Sequence, residues 1–436
     1  MTTTAPQLSR RRLFALTGGL AAAGVLVDAP LALAAPPLAN RGQGVRAAQA
    51  FLTQMANAYP QVSPPTLPQS YADELGLFST AFVYDAALAV CAALALGDVT
   101  LARRVGDGLV FAQANDPTHP DGRLRQAYNV GPYTFYDGNP SPYGLKLSDG
   151  TANIGWQFGF LGTAVGDMAW PGIALVRLFR ATGDRSYRDA AVKIGRWIVA
   201  NAVNPGSLGG FRFGVNGAND PVPNVSTEHN IDCVAFFTQL AAVDRSANWR
   251  AQAARARALV ESMWSGEFFW TGSNDGSTIN TSILPLDPQT WSWLALLDRE
   301  YAGALDWALE TLWTTDGAIS GVTFSDASLV STASYNGIPV SPHGVWMEGS
   351  AQLALATSSR AGNRDNRASR ALLAGLRTAQ ATLGGGQHVG GAPVTGGVVA
   401  ASSLIDSGFG YGYFPVQHVG ATSWYVMAEK GYNPLR

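Results

Sequence analysis

The chain has 436 residues, of which 47% are apolar and 14% charged, and its formal net charge is −2. Low charge at this length indicates a large buried fraction and excludes a disordered chain. The near-neutral balance also excludes the basic surface of a nucleic-acid binder and a polybasic membrane anchor.

The N-terminus reads as a targeting segment. "SRRRLF" (Ser9 to Phe14) runs into "FALTGGLAAAGVLV" and then "ALA" (Ala32 to Ala34). A charged region, an apolar region and a small-residue cleavage site follow in the order of an export signal. The adjacent arginines match the twin-arginine type. The apolar run, about 14 residues, is too short to span a bilayer. Residues 1–34 are therefore expected to be a signal peptide read by the export machinery. Residues 35–436 are expected to be one domain, periplasmic or extracellular and free of the membrane after cleavage.

From there on, two kinds of helix alternate. Segments 43–59, 101–115, 186–202, 248–264, 301–314 and 367–382 are amphipathic. In "YRDAAVKIGRWIVANA", Ala190, Ile194, Trp197 and Ile198 form one stripe, with Arg188, Lys193 and Arg196 off it. Segments 80–97, 168–183, 228–243, 288–298, 345–359 and 420–430 are apolar nearly all round and must be enclosed by protein. The strict alternation, six times over, predicts an all-α domain of six helical hairpins closed into a ring, with the apolar helices inside.

Connections from an apolar helix to the next amphipathic one are short, as in "GDVT" and "GDRS". Those leading back are long: 60–79, 116–167, 203–227, 265–287, 315–344 and 383–419. Long loops in a compact domain are usually functional. All six are expected on the rim that holds the N-termini of the inner helices. "GGFRFGVNG" (Gly209 to Gly217) reads as a hairpin within them. Cys91 and Cys233 lie in apolar runs and read as buried thiols, with a disulfide left open.

Alternating helix pairs with long loops on one rim, and pieces such as "FVYDAALA", "STEHNID", "MEGSAQLALA" and "ATSWYVMAEKGYNP", resemble the (α/α)6 toroid of the six-hairpin glycosidases. The resemblance covers nearly the whole chain after the signal. It implies a carbohydrate substrate and inverting hydrolysis by paired carboxylates.

The acidic residues fit that chemistry. Asp85, Asp167, Glu228, Asp287 and Glu348 fall at or near inner-helix N-termini, with Asp406 upstream of the last helix. In a closed ring they converge. Glycoside hydrolysis needs one carboxylic acid to protonate the leaving oxygen and a second carboxylate to activate water or attack. Glu228, Asp85, Glu348 and Asp232 are the catalytic candidates. Asp232 lies one turn beyond Glu228 inside an apolar run, where a charge requires a partner or a wet cavity. His229, Tyr84, Trp156, Trp291, Trp346, Asp287, Tyr411 and Tyr413 are candidates for binding sugar, the aromatic ones by stacking, with Trp170 beside them. Simpler roles compete. Carboxylates in a first helical turn favour the helix dipole and cap free N–H groups. That reading is the stronger one for Asp167 and for Asp287, placed as a cap before Pro288. Asp85 and Glu348 could instead pair with Arg123 or Arg125, and the aromatics could be core.

Cysteine and histidine spacing gives no zinc pattern and no loop has EF-hand spacing, so no metal or cofactor is expected. The diphosphate motifs of α-toroid terpene cyclases, DDxxD and DxDD, do not occur. "GGGQHVGG" precedes no Rossmann unit and no G-x-S-x-G elbow occurs. Three functions remain: an exported glycoside hydrolase; a polysaccharide lyase or sugar epimerase, for which His229, Asn230 and Tyr84 would serve; or a carbohydrate-binding protein without catalysis.

Overall fold

The computed structural model describes residues 40–72, 77, 79–132, 143–154 and 160–436. The predicted signal peptide and Trp156 lie outside the described residues.

Twelve α-helices occur among them. The outer set is α1 (Arg41–Ala56), α3 (Val99–Ala114), α5 (Arg185–Asn201), α7 (Trp249–Ser262), α9 (Gly303–Thr311) and α11 (Asn363–Thr382). The inner set is α2 (Val83–Leu96), α4 (Val165–Thr182), α6 (Thr227–Ala241), α8 (Leu286–Leu296), α10 (Met347–Arg360) and α12 (Val419–Lys430). Each inner helix packs on the next, and α12 packs on α2, so the ring closes. The fold is an (α/α)6 toroid, as the alternation predicts. Strands among the described residues are two to four residues long and lie in the loops.

The hairpins differ from the expected pairing. α3, α5, α7, α9 and α11 each pack on the inner helix that precedes them in the chain, and α1 packs chiefly on α12. The sixth pair is therefore made from the two ends of the sequence. Its seam is pinned by Glu429 of α12, only 2% exposed, which pairs with Arg41 of α1 at 3.2 Å and Arg377 of α11 at 2.6 Å. The pairing follows connection length, because short links keep neighbours antiparallel. In "GD" at 97 and 183, the glycine ends one helix in the left-handed region (φ 76° and 74°) and the aspartate caps the next.

A repeated backbone pattern holds the rim. The first N–H groups of a helix have no partner inside it. Here the first residue of every inner helix donates to a carbonyl of the following long loop: Val83 to Gln126, Val165 to Phe213, Thr227 to Thr271, Leu286 to Phe324, Met347 to Ala400, and Val419 back to Ser70, at 2.7–3.1 Å. Two residues before five of those acceptors, a loop N–H is taken by the fourth residue of its own inner helix. Leu124 donates to Met168 Sδ, Phe211 to Asn230, Phe269 to Gln289, Val322 to Ser350 and Val398 to Thr422. In the sixth repeat the corresponding loop residue is Pro68. Proline has no N–H to satisfy, and the fourth residue of α2 is Ala86, which offers no acceptor.

The hairpin expected at 209–217 is displaced. Gly214–Val215 pairs with Pro221–Val222 and with Thr163–Ala164, while Phe211 bridges to Val203. Asn230 fixes Phe211 on both sides, accepting from its N–H at 2.8 Å and donating to its carbonyl at 2.9 Å.

The far end of the toroid is covered by residues 432–436. Arg177 of α4 donates to the carbonyls of Asn433 and Pro434 at 2.9 Å and lies over the Tyr432 ring. Asn433 and Arg436 donate to Leu294 and Leu296 at the end of α8. Cys91 and Cys233 are free and buried. Burial pushes the Cys91 thiol up to about 11, with Arg177 opposing, so neither a disulfide nor a reactive thiolate is present. Among the described residues no helix is long and apolar enough to cross a membrane.

Asn230→Ala strands two buried backbone groups of Phe211. It should lower the unfolding free energy by about 2–6 kcal/mol, at ~1–3 kcal/mol for each of the two orphaned groups, read as a shifted midpoint in urea denaturation.

Candidate active site

The rim opens as a cleft of about 380 Å³ over one half of the ring. Its floor comes from α2, α4, α6 and α8, and its walls from the long loops.

α6 supplies most of the polar groups. Ser226 is the helix cap, its hydroxyl accepting from the His229 N–H at 3.3 Å. This puts Glu228 at the second helical position, half-buried and in the cleft. Asp232 follows one turn later on the same face, 1% exposed and also lining the cleft. His229 lies between Gly166 of α4 and the Phe213 ring, whose centroid is 4.9 Å away. A side chain at Gly166 would overlap the imidazole.

α4 adds Asp167 and, one turn on, Trp170. Gln126 donates to Asp167 at 3.1 Å. Asp167 is thus a cleft carboxylate rather than only a helix cap; Ala164 holds the cap position. α2 adds Tyr84. Phe213, Phe409 and Tyr411 give the walls apolar faces, and Asn224, Ser226, Ser273, Asn274 and Asn280 give them hydrogen-bonding groups. The mixture is that of a site for a ligand with apolar faces and hydroxyl edges.

No Lys or Arg lines the cleft. Apart from the N-terminal 39 residues, the segments outside the description contain none in their sequence. Among the described residues, the acidic groups lining the cleft are Asp167, Glu228 and Asp232, and His229 is the one lining group able to become a cation.

Of the catalytic candidates, Glu228 and Asp232 lie in this cleft. Asp85 and Glu348 do not. Both are fully buried beside it. Neither pairs with a loop arginine: Arg125 is held by Asp116 at 2.5 Å and Arg123 by Asp121 at 2.6 Å. Instead Asp85 Oδ1 is 3.2 Å from His418 Nε2, and Glu348 Oε2 is 3.7 Å from His418 Nδ1. His418 is a site residue that the sequence reading missed. α12 has no acid in its first turn, and His418 is its cap; the residue filling that gap in an otherwise acidic ring was the available signal.

Of the binding candidates, His229, Tyr84 and Tyr411 line the cleft. Trp291 is 0% exposed and packs with Trp170, Trp424 and Tyr84 in an aromatic plug at the ring centre. Trp346, also 0% exposed, packs on Phe324 and Tyr413, which removes both Trp346 and Tyr413 from the surface. Asp287 is not the cap of α8, which begins at Leu286. It is buried and accepts from Gln352 at 3.2 Å. Asp406 ties a loop together, accepting from Tyr335 and Ser331 at 2.6 Å.

No family model and no curated protein matches this chain. Solved structures do. A glycosidase variant in complex with glucose aligns over 91% of this chain and 98% of its own, with TM-score 0.57 and 14% identity. A sugar epimerase from a ruminal bacterium aligns over 89% and 98%, with TM-score 0.57 and 10% identity. Cellobiose 2-epimerase from Bacillus thermoamylovorans aligns over 87% and 99%, with TM-score 0.55 and 12% identity. At such identities the likeness is one of fold, and that fold is the (α/α)6 toroid.

A methyl group at Gly420 would sit 2.6 Å from the His418 ring, 2.7 Å from Asp85 and 3.0 Å from Glu348. Gly420→Ala should therefore expel His418 and destabilise the fold by ~1–3 kcal/mol, the usual cost of overpacking. Calorimetric melting of the pure variant checks this.

Proposed function

We propose that the chain is an exported sugar-processing enzyme, and specifically a glycoside hydrolase acting on a short, uncharged saccharide. Residues 1–34 would direct export by the twin-arginine route, and residues 35–436 would form the single catalytic domain. The observation that carries the reading is the meeting of Asp167 from α4 with Glu228 and Asp232 from α6 in one aromatic-walled cleft.

In this reading Glu228 is the general acid. It is the most exposed of the three and can reach a glycosidic oxygen at the mouth. Asp167 is the base. Gln126 donates to it at 3.1 Å and fixes the carboxylate in the cleft. Asp232 lies deeper in the cleft on the same face as Glu228. A cleft of about 380 Å³ lies at the small end of ligand sites, roughly 300–1,000 Å³, which suits one or two sugar rings. The absence of a lining cation argues against a uronic-acid lyase, which needs a positive group to neutralise the substrate carboxylate.

Sugar epimerisation or isomerisation is the second reading. His229 and Tyr84 favour it, because both can exchange a proton in the same cleft, and several solved structures of this fold are sugar epimerases or a D-mannose isomerase. Mass spectrometry of products from neutral oligosaccharides separates the readings. Hydrolysis adds one water across the products; epimerisation leaves the mass unchanged.

Glu228→Gln keeps the shape and removes the acid. It should lower kcat by about 10²–10⁴-fold, the usual contribution of general acid catalysis, with an unchanged melting temperature. Full activity in that variant would remove Glu228 from the mechanism. Sugar binding that persists in a wild-type protein inactive on every saccharide would favour a binding protein.

A further inference from the structure

Behind the cleft wall lies a second set of titratable groups. Tyr84 faces the cleft, and its hydroxyl donates to Glu348 Oε1 at 2.5 Å while accepting the Trp424 indole N–H at 3.0 Å. Glu348 Oε2 approaches His418 Nδ1, and His418 Nε2 faces Asp85 Oδ1. Glu348, His418 and Asp85 are each 0% exposed, and Tyr84 is 4% exposed. These groups come from α2, α10 and the cap of α12.

The arrangement is held on every side. The His418 ring stacks on Tyr71 with centroids 4.2 Å apart and planes 4° from parallel. Its Nδ1 accepts the Ala421 N–H at 3.2 Å, which leaves the Nε2 proton directed at Asp85. Gly420 gives the carboxylates and the imidazole room to meet. Burying two carboxylates and a histidine is costly unless they share charge and protons. Among the described residues no set of three His, Cys, Asp or Glu side chains has the geometry to hold a metal ion. The group of this buried set that lines the cleft is the Tyr84 phenol.

We propose that Tyr84 is a catalytic residue through which Glu348 exchanges a proton with a sugar oxygen in the cleft, with His418 and Asp85 as positioning residues. The step moves two protons together. The Tyr84 O–H bond breaks as its proton passes along the existing hydrogen bond to the Glu348 carboxylate. The phenol oxygen takes the proton of a sugar hydroxyl, so the phenol is restored, Glu348 is left as a carboxylic acid and the sugar oxygen as an alkoxide. The O···O distance of 2.5 Å is that of a charge-assisted hydrogen bond across which a proton moves readily. The Trp424 N–H steadies negative charge on the phenol oxygen during the exchange. His418, stacked on Tyr71 and facing Asp85, holds the Glu348 side chain in place. The reverse step returns a proton to a sugar oxygen.

This inference rests on the cleft being a sugar-processing site, so its test has one arm without substrate. The full chain, labelled with 15N-histidine, is examined by NMR as wild type and as Tyr84→Phe, which keeps the ring and removes the hydroxyl. A coupled network should shift the ring nitrogens of His418, which does not touch the Tyr84 hydroxyl. Unmoved resonances would overturn the relay. In the second arm, kcat, KM and the pH–rate profile are measured on the neutral oligosaccharide that the product panel identifies. Tyr84→Phe and Glu348→Gln should each lower kcat by about 10²–10⁴-fold with KM nearly unchanged, and should remove the same limb of the profile. Unaltered kcat in Tyr84→Phe, or a loss that leaves the profile intact, would reduce these groups to packing. Should Glu348→Gln fail to fold, Tyr84→Phe alone decides. A wild type inactive on every saccharide would sink the sugar reading, and the NMR arm would still decide whether Tyr84 and His418 are coupled.

Discussion

The rim rests on one hydrogen bond made six times. The first N–H of each inner helix has no carbonyl within its own helix, and the following loop supplies one. Because Val419 donates back to Ser70, the bonds form a circuit without an end. The circuit sets every inner helix at one height. Side chains at the cap and at the second and third helical positions therefore meet around one axis. Tyr84, Asp85, Asp167, Glu228, His229, Asp287, Glu348 and His418 all occupy such positions. Backbone geometry gathers them; side-chain chemistry decides what each becomes.

The ring then divides. On the α4–α6 side the loops stand apart, and Asp167, Glu228 and Asp232 line the cleft. On the other side Trp170, Trp291, Trp424 and Tyr84 fill the centre, and the remaining acids are sealed with His418 and Gln352 as partners. Carboxylates at equivalent helix positions thus sit in wet and dry surroundings a short distance apart. Such a contrast lets one fold keep some acids ionised while others hold or share protons.

Much of this was legible in the sequence. Hydrophobic periodicity separated inner from outer helices, because enclosure on all sides leaves no polar face to read. The short "GD" links and the long returning loops located the rim. Glu228 and Asp232 stood out because an apolar helix carried charge at its mouth. Other features were not legible, for identifiable reasons. The sequence orders helices but does not say which neighbour an outer helix prefers, and pairing α1 with α12 needs ring closure. Asp85 and Glu348 match the cleft acids in local pattern; their burial depends on His418, hundreds of residues from Asp85. Trp291 and Trp346 read equally as platform or core, since an indole fits both until its neighbours are known. Pro68 and Ala86 acquire meaning only once the other five clamps are seen.

The covering of the far end by residues 432–436 bears on how a glycan could be handled. With Arg177 holding that segment over the ends of the inner helices, the central axis is not a passage. A long chain cannot be threaded through the ring and ratcheted along. Whatever binds in the cleft reaches it through the loop-lined mouth and leaves by the same side.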